Sequence, residues 1–329
     1  MAILNINPLL TSTLMHQALN PVSLETSISY PILAETCFTA LGDGESASFA
    51  RRLRVENRIG VAFNVLFDAT LFGFVDDLQN AWIDRSRTQS ETPSHMPEDY
   101  DRAASAFRLA VSDGRELDRI DESLAAALDL AQTFSGSVGS LSNFQDWTAR
   151  ALELFLPEDR PAVTRTQTCL TLLGARLLWN RGIFYGASRS LGVAAEALRG
   201  EETESQPPEA AREEGFVRYA RALVLLLNKV PDFERLHGAL GELEESIACF
   251  RRSREAFPYI LHKRLSEAHK ILGRAHHDEG DLRTAAYHFG QAREIGKRKL
   301  EPGIPEARAL PRGSNKGWKA ALRSIFGKG

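Results

Sequence analysis

The sequence predicts an all-α protein built from paired helices, on three grounds. From Gly44 onward apolar residues recur three and four positions apart, the period of an amphipathic helix. The sustained β-branched alternation that marks strands is absent. A small–x3–Phe–x2–small signature also occurs three times, at Ala103/Phe107/Ala110, Ser246/Phe250/Ser253 and Ala285/Phe289/Ala292. Small residues at that spacing let two helices approach closely while the phenylalanine fills the seam between them.

Along the chain, Pro8, Pro21 and Pro31 cut residues 1–43 into pieces too short for long helices, so an irregular arm with one or two short helices is expected. Helices follow over 46–57 and 61–85. The second carries Phe63, Leu66, Phe67, Leu71, Phe74, Val75, Leu78 and Trp82 as one apolar stripe. Residues 88–97 are polar and contain two prolines, which reads as a loop. Periodicity then predicts helices over 98–112, 118–134, 142–156, 162–180 and 186–199. The stretch 201–209, with Pro207-Pro208, is the most linker-like segment. It separates a helical region, 44–200, from a second one, 210–300. In the latter, helices are expected over 210–229, 233–256, 260–278 and 282–299. Residues 301–329 form a basic tail.

The segment 266–299 is the most informative. Its first helix runs through Glu267, Leu272, Gly273 and His276, the break falls at Glu279-Gly280-Asp281, and the second helix carries Ala285, Phe289 and Ala292. In this order and spacing the segment resembles the tetratricopeptide (TPR) repeat. His269 and His276 stand where the family often has Trp and Tyr, and Lys297 replaces the usual closing Pro. Gly241-Glu242 with Ser246, Phe250, Ser253 and Pro258 resembles the same second-helix pattern, and weaker echoes lie at 98–112 and 168–199. One repeat cannot bury its own apolar face, so neighbouring helix pairs must cover it. The resemblance thus implies a right-handed α-solenoid of TPR-like helix pairs behind the N-terminal arm. It further implies a groove, lined by first helices, that binds a protein or peptide.

Composition sets broad limits. A 43% hydrophobic and 25% charged chain has the makeup of a soluble globular protein. The most apolar run, 61–75, is interrupted by Asn64 and Asp68, so no spanning helix is expected. The N-terminus has neither a basic region nor a continuous apolar core, which makes a poor secretory signal. Cys37, Cys169 and Cys249 are odd in number and far apart, fitting buried thiols in a reducing, cytoplasmic setting. Charge is divided unevenly. Residues 1–250 hold 22 Lys and Arg against 35 Asp and Glu, a net of −13, whereas residues 251–329 hold 18 against 8, a net of +10. Such asymmetry points either to an acidic partner or to contact of the basic end with the chain's own acidic part.

Candidate sites follow from spacing. Lys270, Arg274 and His277 share one face of a helix, three and four residues apart. TPR proteins that grip a C-terminal carboxylate carry a cation at the slot of Lys270 and commonly Asn at that of Arg274. Only the first is matched, so the resemblance implies no more than an anion-tolerant groove, and ordinary solvated helix charge is the leading reading of this face. His262, His269 and His276 are seven apart, about 10 Å per step, whereas ligands on one helix sit three or four apart. They read as packing residues, ahead of a pH-sensitive interface or a metal site, and no metal or cofactor is expected.

Asp76 and Asp77, preceded by Phe72 and Phe74, resemble the aspartate-rich motif of class I terpene synthases, implying an alternative: a Mg-dependent enzyme acting on an isoprenoid diphosphate. No second metal motif accompanies them, and nucleophile-elbow, phosphate-loop and zincin motifs are missing. No catalytic residue is assigned, and a non-enzymatic scaffold or adaptor leads. The tail completes the candidates. Trp318, Leu322 and Phe326 fall on one side of a short amphipathic helix, with Lys319 and Arg323 on the other. It suits an acidic partner, a membrane surface or a cap on the last repeat. Nucleic acid is not expected, for want of interleaved stacking aromatics.

Overall fold

The computed structural model describes residues 24–83, 98–155, 165–199, 207–228, 232–253 and 259–297. Among them there are eleven α-helices and no strand. In chain order they are α1 (Leu24–Leu41), α2 (Gly44–Ile83), α3 (Glu98–Gly114), α4 (Glu122–Ser137), α5 (Leu141–Phe155), α6 (Arg165–Asn180), α7 (Phe184–Arg199), α8 (Pro208–Leu227), α9 (Phe233–Arg252), α10 (Tyr259–Asp278) and α11 (Leu282–Lys297). The chain divides into two compact units, Met1–Thr203 and Glu204–Gly329.

Three element boundaries differ from the sequence expectation. The arm contains α1, an 18-residue helix that runs through Pro31. A proline inside a helix costs about 3 kcal/mol, and here Pro31 and Ala34 are buried where α1 lies along α2, so packing offsets that cost. The two helices expected over 46–57 and 61–85 are one helix of 40 residues, about 60 Å long. Its join is held from both sides, because Ile59 is buried and Arg58 Nε lies 2.7 Å from Asp113 of α3. A single Gly60 there costs only about 1 kcal/mol. Finally, α4 begins at Glu122 because the Asp121 carboxylate accepts from Leu124 N at 2.8 Å, an N-cap that also receives Arg52.

In the first unit α2 is the organising element: α1, α3 and α6 all pack on it. From α3 the chain proceeds through α4 and α5 to α6, each packed on its predecessor, and α6 returns to α2. That return contact departs from the nearest-neighbour packing of an open array. An aromatic chain fills the interior: Phe63–Phe107 (5.0 Å between ring centroids), Phe107–Phe134 (5.3 Å) and Phe134–Trp147 (4.7 Å). Trp147 Nε1 donates to Leu130 O at 2.8 Å, so the indole is buried with its polar atom satisfied.

An 18-residue window of α2, with mean hydropathy 1.5, is long and apolar enough to cross a membrane, contrary to expectation. Half of that window is buried inside the protein.

In the second unit α8–α9, α9–α10 and α10–α11 pack in succession. One device joins both hairpins. A Cβ on Gly273 of α10 would lie 2.9 Å from Phe289 Cε1 of α11, and Ser266 Oγ donates across the seam to Ala292 O at 3.0 Å. Likewise a Cβ on Gly215 of α8 would lie 2.9 Å from Phe250 Cε2 of α9, and Ser246 Oγ donates to Gly215 O at 2.7 Å. At either glycine an added Cβ would force the facing ring to shift. Gly241-Glu242 lies mid-helix, as the helix expected over 233–256 requires, since α9 runs unbroken from Phe233 to Arg252. At Gly280 the chain does break. Gly280 adopts φ 84° and Asp281 N donates to His276 O at 2.9 Å, closing α10. Asp281 Oδ1 then accepts from Thr284 N at 3.1 Å to start α11.

Candidate functional site

Six of the eight histidines lie between His237 and His288, and the second unit gathers four of them from three helices. His237 comes from α9, His269 and His276 from α10 and His288 from α11. The register set by Gly273 against Phe289 carries His276 to the level of His288, whose rings stack at 5.5 Å with 12° between their planes. His237 closes the group, 6.1 Å from the His276 ring and 5.8 Å from that of His288. One ring nitrogen from each of His237, His276 and His288 lies within 4.8 Å of the other two.

The surroundings set the protonation of these rings. His269 Nδ1 and His288 Nδ1 are 3.0 Å apart, so one donates and the other accepts. Burial, then the charges of His288 and His237, push His269 down to about 4. Burial first, then His237 and His276, also lowers His288. Both rings are therefore neutral at pH 7 and keep a lone pair. His276 Nδ1 faces Asp281 Oδ2 at 3.6 Å, while its Nε2 is buried with no hydrogen-bond partner among the described residues. Phe233 packs against the same ring at 4.5 Å. His237 is exposed, so the cluster opens to solvent on that side.

Lys270, Arg274 and His277 are all exposed on α10, and Lys263 extends their stripe. The opposite face, with Leu265, Ala268 and Leu272, is buried. Trp318, Lys319, Leu322, Arg323 and Phe326 lie outside the described residues. Asp77 of α2 is engaged: Arg176 Nη2 of α6 donates to its Oδ2 at 2.6 Å, and Arg176 Nη1 donates to the Tyr100 hydroxyl of α3. This buried link ties three helices together. His262, two heptad steps before His276 on the same stripe, is not among the converging nitrogens. Sequence reasoning missed His237 and the meeting of His276 with His288. The density of histidines on three consecutive helices was the available signal.

The chain matches no protein-family model and no curated protein sequence.

Proposed function

We propose that this chain is a non-enzymatic helical adaptor that binds an acidic protein or peptide segment along the exposed face of α10, and that α8–α11 form TPR-like pairs of a right-handed solenoid. The observation carrying this reading is the stripe of Lys263, Lys270, Arg274 and His277, exposed along one helix whose other face is core. Neither Lys270 nor Arg274 has an ion-pair partner among the described residues, so their charge is available to a ligand. The Gly273–Phe289 approach supports the TPR-like pairing. The engagement of Asp77 by Arg176 weighs against the Mg-dependent enzyme, because a carboxylate already neutralised by a buried guanidinium is a poor metal ligand.

The test is fluorescence anisotropy with acidic peptides of unrelated sequence, at low and high salt. Binding should weaken as salt rises, since exposed charges are screened beyond about 8 Å at physiological ionic strength. Reversing Lys270→Glu and Arg274→Glu together should abolish it while circular dichroism stays unchanged. Binding indifferent to both reversals overturns the reading.

A further inference from the structure

We propose that His237, His276 and His288 bind one divalent first-row transition metal, of the zinc, nickel or copper class, and so staple α9, α10 and α11 together. This does not rest on the adaptor reading. The donor set is all imidazole, which suits these metals; calcium and magnesium demand oxygen ligands. Metal–nitrogen bonds of about 2.1 Å in a tetrahedral site put ligand nitrogens about 3.4 Å apart. The three nitrogens already stand within 4.8 Å of one another, so small ring rotations complete the triangle.

The partners of each ring favour the tautomer a metal needs. With Nδ1–H directed at the Asp281 carboxylate, His276 carries its lone pair on Nε2, the buried nitrogen with no hydrogen-bond partner among the described residues. With Nδ1–H donated to His269 Nδ1, His288 likewise leaves Nε2 free. Asp281 and His269 then act as positioning residues, as carboxylates and other acceptors do behind metal-bound histidines. His237, the exposed member, sits where an ion enters, and a fourth position remains for water or a further ligand.

The experiment uses the untagged full chain, stripped with a chelator and titrated with zinc or nickel by calorimetry, with cobalt as a visible-absorbance probe. One equivalent should bind, and cobalt should develop the spectrum of a nitrogen-ligated site. His276→Ala and His288→Ala should lose binding, and His237→Gln should weaken it at least about tenfold. Because His237 is exposed, that variant keeps the test decisive should the buried ones fail to fold. His269→Gln should weaken binding while preserving stoichiometry. Controls at His262→Ala and His277→Ala should bind as the parent does. Absence of stoichiometric binding, or binding unchanged in His237→Gln and His276→Ala, overturns the proposal.

Discussion

Replacing each of three glycines of the second unit by alanine separates close helix approach from helix propensity. Removing glycine from a helix interior favours folding by about 1 kcal/mol, and overpacking a closed seam costs about 1–3 kcal/mol. At Gly215 the added Cβ would meet Phe250 at 2.9 Å and Cys249 Cβ at 3.2 Å, and Phe250 is only 2% exposed, so its ring has nowhere to go. The upper overpacking cost applies, leaving Gly215→Ala destabilised by about 2 kcal/mol. At Gly273 the clash is with Phe289 at 2.9 Å, but that ring is 37% exposed and can swing outward. The two effects then nearly cancel. At Gly241 nothing lies within 4 Å, so Gly241→Ala should stabilise by about 1 kcal/mol. Urea unfolding read by circular dichroism gives the order Gly241→Ala, Gly273→Ala, Gly215→Ala from most to least stable. Equal effects at all three, or a destabilised Gly241→Ala, would refute the packing argument.

Other expectations follow from the same contacts. Asp77→Asn removes the charge paired with buried Arg176 and should cost about 3 kcal/mol, measured by thermal unfolding; an unchanged midpoint would mean the pair carries no stability. Prenyl diphosphates with Mg²⁺ should show no turnover, and turnover abolished by Asp77→Asn would sink the adaptor reading. Cys249 is buried, and burial followed by the Glu214 charge pushes its thiol up to about 12, so it should resist alkylation in the native protein at pH 8 while half-exposed Cys37 reacts first. Rapid native labelling of Cys249 would contradict this. Ala285→Leu, at a position 2% exposed, should cost about 1–3 kcal/mol, whereas exposed Glu279→Leu should not.

Helices were largely legible because their signals are local. Residues three and four apart announce α3 through α11 to within a few positions, and Gly280 with Asp281 writes its own turn. The misses share a cause. Pro31 and the Arg58–Gly60 join read as breaks from neighbours in sequence, but α1 packs along α2 and α3 grips the join, so both stay helical. Asp76 and Asp77 looked alike in sequence, yet only the fold shows Asp77 paired with a guanidinium 99 residues away.

By itself the sequence determined where most of this chain is helical, which faces are apolar and that small residues and a phenylalanine share the seam of its last helical pair. Tertiary structure decided which distant groups meet. Helical period fixes the direction of a side chain around its own axis, but not the register of one helix against the next. That register, set by packing at Gly273 and Phe289, is what brings His276 and His288 together and leaves His237 at their side.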